Sequence, residues 1–143
     1  MHYNDRSQGI LVTRKGEFQF EYFLHFNNTY KFDTYAFLIW AGEGGPDENA
    51  ADFSLLIMND DIHLKVIDLF MKHYSGNGIA IAIILKAREL FGKKIISSSN
   101  TNKSFTSEAN WPEAIQRVWQ PLVDQGLAHY DAPNDHYVLV DVI

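Results

Sequence analysis

Hydrophobic and polar residues alternate near the start of the chain. Over residues 17–26, one set of alternate positions carries large apolar side chains, namely Phe18, Phe20, Tyr22, Leu24 and Phe26. A period of two is typical of a β-strand with one buried face. A short apolar patch at residues 9–13 predicts an edge strand before it, and Asn27-Asn28 predicts a turn after it.

Three further apolar runs follow, at residues 35–40, 53–58 and 62–71. The first is apolar at both sets of alternating positions, which is typical of a central strand. Short polar or glycine-rich segments separate the three runs. They therefore predict three more strands of an antiparallel meander.

A glycine-containing turn, residues 72–80, follows the last of these runs, and residues 81–91 then predict a helix that ends at Gly92. A strand, a glycine turn and a helix in succession direct free backbone N–H groups and the positive end of the helix dipole at one point. Such a point suits an anion, most often a phosphate. Gly76 and Gly78 permit positive φ and close approach of a ligand. The same glycines are equally compatible with a tight turn that binds nothing, and the turn has neither the dinucleotide nor the nucleoside-triphosphate motif.

The C-terminal part predicts a strand, a helix and a hairpin. Residues 94–98 predict a strand parallel to the one at residues 62–71, because a right-handed crossover connects them. A helix is predicted from Trp111 to Gln125, kinked or split by Pro121. Residues 127–131 and 136–140 predict a hairpin. We expect one α+β (or α/β) domain, residues 1–143, with a mixed, mostly antiparallel sheet of six to seven strands and flanking helices.

Composition narrows the class of protein. The 143 residues are 46% hydrophobic and include no cysteine, so a real core is expected and disulfides, thiolate nucleophiles and cysteine-based zinc sites are excluded. No segment resembles a signal peptide or a membrane span, so we expect a soluble, cytoplasmic protein. The net charge of −6 argues against nucleic acid as a partner and is compatible with a cationic acceptor.

Residues 68–80 resemble the acyl-CoA-binding motif of the GNAT superfamily of N-acyltransferases. That motif has Arg or Gln, two residues, Gly, one residue, and Gly or Ala, after an apolar strand and often after a Tyr. Gly78 and Ala80 fill the two small positions and Tyr74 the aromatic one, whereas Ser75 stands where Arg or Gln is usual. The resemblance covers residues 34–140 in outline. The chain departs from the family between Phe26 and Tyr35, where there is no room for the two usual helices.

The resemblance implies acetyl-CoA as co-substrate and an amine as acceptor. Main-chain groups of Leu69, Phe70 and Met71 would bind the pantetheine arm like an added strand. The pyrophosphate would be bound by the turn and the start of the helix, that is by Ser75, Gly76, Asn77, Gly78, Ile79 and Ala80. The polar loop that follows residue 97 would lie near the cofactor, where Asn100 or Lys103 would touch it.

The chemistry of amine acylation needs a base and, in some members, an acid. Asp68 lies two residues before Phe70, hence on the same strand face, and is the candidate base; an ordinary strand carboxylate in an ion pair is the alternative. The family's usual acid is a Tyr four residues before the Gly that closes the last helix, and here that position is Leu122. Tyr74 or Tyr130 would substitute, or each is a core tyrosine.

Two other functions stay open at this point, whereas a metal site is not expected. His129 and His136 are expected to face each other across the hairpin, but no third ligand accompanies them, so no metal site is predicted. The chain is alternatively a GNAT-like interaction module without catalysis, or a winged-helix-like DNA-binding protein over residues 111–140. An open cleft would favour a protein lysine or N-terminus as acceptor, and the aromatic N-terminal edge strands would permit a homo-oligomer.

Overall fold

The computed structural model describes residues 5–28, 31–74, 76–99 and 114–140. Within these residues eight strands form one sheet in the order β1-β2-β3-β4-β5-β6-β8-β7. The strands are β1 Arg6–Thr13, β2 Gly16–Asn27, β3 Phe32–Trp40, β4 Ala51–Ile57, β5 His63–Phe70, β6 Lys94–Ile96, β7 Ala128–Asp131 and β8 His136–Leu139.

Two helical segments accompany the sheet in the described part of the chain. Helix α1 spans Ile79–Phe91, and a π-helical turn at Ile115–Trp119 runs directly into α2, Gln120–Asp124. Pro121 explains the change of helix type, because a proline has no N–H to donate to the carbonyl four residues back. The N–H of Gln120 instead bonds Ile115 O, five residues back. Where a kink or split was expected at Pro121, the structure shows a continuous helical segment that changes type immediately before this residue, while residues 111–113 lie outside the described residues.

The α+β class and the mostly antiparallel sheet are confirmed, but the expected six to seven strands are too few. Strand β1 is also longer than expected, because it begins at Arg6 and not at Gly9. Its polar first residues pair with β2, and the Arg6 guanidinium lies 4.1 Å from the centre of the Phe23 ring and 3.4 Å from the Glu21 carboxylate. These cross-strand contacts keep the polar first residues of β1 in the sheet, although hydrophobic alternation alone does not assign them to a strand.

The core lies on one face of the sheet, and both helical segments pack there. Phe91 of α1 stacks on Tyr35 of β3 with ring centres 4.0 Å apart, and Trp119 stacks on Tyr137 of β8 at 5.9 Å. The fully buried side chains of α1 are Ile79, Ile83, Ile84 and Ala87. Burying each Ile contributes about 1.5–3 kcal/mol, so this apolar face fixes α1 against the sheet.

Strands β5 and β6 are parallel, as expected, but they pair only at their first residues. The register joins His63–Lys65 to Lys94–Ile96, and the chain then turns toward β8, where the Ser97 N–H donates to Tyr137 O. On its other side, β5 carries a bulge, because Ser54 pairs with Asp68 and Leu55 with Val66. The second half of β5, from Ile67 onward, is therefore twisted and has no strand partner on the β6 side among the described residues.

The C-terminal hairpin has a different register from the one expected. His129 pairs with Val138, and His136 pairs with Asp131, so the two histidines do not face each other. The short 3-10 turn at Ala132–Asn134 sets this register, since loop length fixes which residues oppose each other. In the described residues, no helix is both long and apolar enough to cross a membrane.

Candidate functional site

A cleft of about 920 Å³ opens where β5 and β6 diverge. The second half of β5 forms one wall, and the C-terminal helical segment, with Val118, Trp119 and Pro121, forms the opposite wall. The glycine turn and the first residues of α1 close one end. The cleft thus lies where the N-terminus of α1 meets an edge of β5 that has no strand partner in the part of the chain that the structure describes.

The glycine turn orients the start of α1. Gly76 and Gly78 have φ of 85° and 77°, values that L side chains rarely adopt. The Asn77 side-chain N–H donates to Tyr74 O at 2.9 Å and fixes the turn from inside. Among the described residues no side chain caps α1, and the first internal hydrogen bond of the helix runs from Ala82 N–H to Gly78 O. The N–H groups at 79–81 therefore have no acceptor within the helix and suit an anion.

The wall formed by β5 offers backbone N–H and C=O groups as a second kind of binding group. Because Ile67 and the residues after it have no strand partner toward β6 in the described part, their backbone on that side can accept an extended ligand as an added strand. Leu69 and Met71 are half-buried against the core, whereas Phe70 is exposed. The Ser98 hydroxyl donates to Val66 O at 2.7 Å and marks the point where the two strands separate.

The cleft collects most of the residues predicted for cofactor binding. Its lining includes Leu69, Phe70, Met71, Gly76, Gly78, Ile79 and Ala80. Asn77 does not line it and instead supports the turn through Tyr74. Ser75, Asn100 and Lys103 lie outside the described residues.

Two arginines in the cleft were not predicted from the sequence. Arg14, in the turn between β1 and β2, lines the cleft beside the glycine turn, and Arg117 lines it from the opposite helical wall. Arg14 has no ion-pair partner among the described residues, and the neighbouring Thr13 Cβ lies 3.8 Å from where a Cβ on Gly78 would be. The one sequence feature that could have pointed to Arg14 is the basic pair Arg14-Lys15 at a tight turn. That pair does not reveal that the turn lies beside α1.

Asp68 is the carboxylate that the structure places in the cleft. Burial raises its pKa, a hydrogen bond from Ser54 opposes that shift, and the nearby Asp52 charge adds to it. Asp52 is in turn paired with Lys72 at 3.1 Å. A carboxylate with a raised pKa at the mouth of a cleft is a better proton acceptor than an ordinary surface aspartate.

Tyr130 does not belong to this site. It lies on the edge strand β7, its side chain is half-exposed, and its hydroxyl donates to the Asp135 carboxylate at 2.5 Å, a bond that raises its pKa. It does not line the cleft, because β8 lies between β6 and β7 and moves β7 outward. Tyr130 is therefore not a buried core tyrosine, and its role as an acid stays a prediction that its position outside the cleft lining does not favour.

Tyr74 is the tyrosine that does line the cleft. Its ring packs edge-on against Phe18, and its hydroxyl oxygen accepts a hydrogen bond from Ala41 N–H at 3.2 Å. Leu122 is fully buried, and Trp119, although it lines the cleft, has no acidic proton to donate to a thiolate.

Across the described residues, no group of three or more potential metal ligands occurs.

Comparisons of the chain with models of known protein families, with curated proteins and with solved structures returned no match.

Proposed function

We propose that the protein is an N-acyltransferase of GNAT type that transfers an acetyl group from acetyl-CoA to an amine. The observation that carries the proposal is the cleft where β5 and β6 diverge, in which an edge of β5 without a strand partner among the described residues leads to the N-terminus of α1. Pantetheine is an extended amide chain that ends in a pyrophosphate. A strand edge followed by a helix N-terminus offers hydrogen-bond partners to both parts in the right order.

The order of the elements agrees with the layout that the sequence resemblance implies. From β5 onward the chain forms a strand, glycine turn, helix, parallel strand, helix and hairpin. The winged-helix alternative has less support, because β7 and β8 extend the central sheet and do not form a separate wing.

Arg14 gives the pyrophosphate a cation that the motif in this chain lacks. Ser75 stands where the motif has Arg or Gln, so one phosphate-binding side chain is missing from the turn itself. Arg14 reaches the same end of the cleft from the β1–β2 turn, and Arg117 faces it from the other wall. A guanidinium forms charge-assisted hydrogen bonds to phosphate oxygens, which would offset the loss.

The proposed reaction needs one proton acceptor in the cleft. The amine nitrogen attacks the thioester carbonyl, Asp68 accepts a proton from that nitrogen, and the carbon–sulfur bond breaks to release the CoA thiolate. Backbone N–H groups of β5 would stabilise the oxyanion. The thiolate takes its proton from solvent in this proposal, since the cleft presents no tyrosine in the family's usual place.

The second candidate function is a GNAT-like module that binds CoA or a partner without catalysis. The position of Tyr130 outside the cleft and the burial of Leu122 favour it, because neither supplies the usual acid. Release of free CoA thiol during incubation with acetyl-CoA and polylysine separates the two functions. Turnover supports the transferase, and CoA binding without thiol release supports the module.

Calorimetry with acetyl-CoA tests the proposal directly, with Gly78→Asp as the disrupting variant. A carboxylate beside the helix N-terminus should repel the pyrophosphate and abolish binding. Gly45→Asp is the matched control, because Gly45 also has positive φ (82°) and open space for a Cβ but lies outside the cleft. Absence of acetyl-CoA binding by the folded parent protein at millimolar concentration would refute the proposal.

A further inference from the structure

A long groove of about 2120 Å³ follows the exposed side of α1. One side is formed by the end of β1, from Ile10 to Thr13, and the other by Ile81, Leu85 and Lys86 of α1. The groove meets the acyl-CoA cleft at the glycine turn but extends away from it, to the start of β6 at Lys94. Five residues line both surfaces, whereas the β1 residues and the part of α1 after Ile81 line the groove alone; the shared residues are Arg14, Gly76, Gly78, Ile81 and Gln125.

The β1 side of the groove is an edge of the sheet. In the described part of the chain β1 pairs only with β2, so its other edge has no strand partner. Ile10 and Val12 on this strand are 51% and 69% exposed. Edge strands normally avoid exposed aliphatic side chains, because such edges pair with other chains. An edge with these properties is suited to receive a further strand.

The charge of the groove is opposite to that of the chain. Among the described residues, the lining contains six of the chain's twelve Lys and Arg residues and two of its eighteen Asp and Glu residues, Asp61 and Glu89. Asp61 pairs with Lys93 at 3.0 Å, and Glu89 lies 3.9 Å from Lys86, so the acids neutralise only part of the positive charge. The chain as a whole carries a net charge of −6. The groove is thus a basic surface on an acidic protein.

We propose that this groove binds an extended acidic segment of a partner protein, which adds to the free edge of β1 as a further strand. The eight residues of β1 accommodate a strand of about 27 Å. Backbone hydrogen bonds to β1 would supply affinity, and acidic side chains at alternate positions would meet the basic rim. A second copy of the chain is disfavoured as occupant, because a twofold axis at β1 would bring the same basic side chains together.

Three synthetic peptides test the proposal by fluorescence anisotropy. The first is an eight-residue peptide in which glutamate alternates with valine, the second replaces every glutamate with lysine, and the third replaces two valines with proline. We expect the glutamate peptide to bind, and to bind less tightly as salt increases. The lysine peptide should bind at least about tenfold more weakly, because its charges repel the rim. The proline peptide should also bind about tenfold more weakly, since proline cannot donate to a strand.

Two charge reversals identify the groove as the binding surface. Lys15→Glu lies in the groove lining, and Lys31→Glu makes the same charge change at an exposed position outside it. We expect Lys15→Glu to weaken binding of the glutamate peptide about fivefold and Lys31→Glu to leave it unchanged.

Several outcomes would overturn the proposal. Equal binding of all three peptides, equal effects of the two reversals, or absence of peptide binding at low salt would exclude an acidic strand. Association of the protein with anionic vesicles but not with the glutamate peptide would assign the groove to a membrane surface. A concentration-dependent dimer that Val12→Glu disrupts would assign it to a second copy. Each readout is independent of acetyl-CoA binding, so the result does not depend on the proposed transferase activity.

Discussion

Replacement of Arg14 tests whether the N-terminal hairpin contributes to the proposed cofactor binding. We expect Arg14→Gln to weaken acetyl-CoA binding about fivefold to tenfold, because an exposed guanidinium–phosphate contact contributes about 1 kcal/mol. Lys15→Gln, in the same turn but outside the cleft lining, is the control and should bind normally. Calorimetry at constant ionic strength measures both. Equal losses in the two variants would show a general charge effect and no specific contact.

Asp68 is the base in the proposed reaction, and its replacement tests that role. Asp68→Asn should lower kcat about 100-fold or more, with little change in acetyl-CoA affinity, because it removes the proton acceptor and leaves the backbone contacts in place. For the proposed acetyl transfer by the unmodified protein, we expect the rate to fall on the acid side at a pH above the ordinary aspartate range, since the pKa of Asp68 is raised. An unchanged kcat would assign the proton transfer to solvent.

The raised pKa of Asp68 also predicts the sign of a stability change. Between the unfolded and the folded pKa the native state binds more protons, so the stability contributed by Asp68 is lost as pH rises through the folded value. Asp68→Asn should therefore raise Tm at pH 7 and leave it unchanged near pH 3. The pKa of Asp131 is lowered, chiefly by a hydrogen bond from Asn134, so Asp131→Asn should lower Tm at pH 7. The same sign for both variants would contradict this account.

Among the elements, those defined by local patterns could be predicted from the sequence. The strand, glycine turn and helix from β5 to α1 follow from an apolar run, two glycines and a second apolar run, and Pro121 indicates an irregularity in the C-terminal helix without revealing that it is a π-helical turn. The positions of Arg14 and Tyr130 could not be predicted, because they depend on long-range packing. Arg14 reaches the cleft only because the β1–β2 turn lies against α1, and Tyr130 is excluded only because β8 is inserted beside β6.

The pairing of β1 with β2 depends on a glycine that faces an aromatic ring. A Cβ on Gly9 would lie 2.5 Å from the tip of the Phe20 ring, which is buried in the core. Gly9→Ala should therefore lower the free energy of unfolding by about 1–3 kcal/mol, as overpacking of a core does. Gly44→Ala, with nothing within 4 Å, is the control. Urea denaturation measures both, and Phe20→Leu in the Gly9→Ala background should restore part of the loss.

For the whole molecule, the cleft is built from segments that lie far apart in the chain. The β1–β2 turn, the second half of β5, the start of α1 and the C-terminal helical segment all line it, so one ligand would restrain all four at once. Hydrogen exchange with and without saturating acetyl-CoA should show added protection at residues 13–15, 67–71 and 79–81 together. At a concentration of 100 Kd the ligand should also stabilise the fold by about 2.7 kcal/mol. Protection limited to residues 79–81 would instead indicate a bound anion that contacts α1 alone, and the strand edge of β5 would then have no part in cofactor binding.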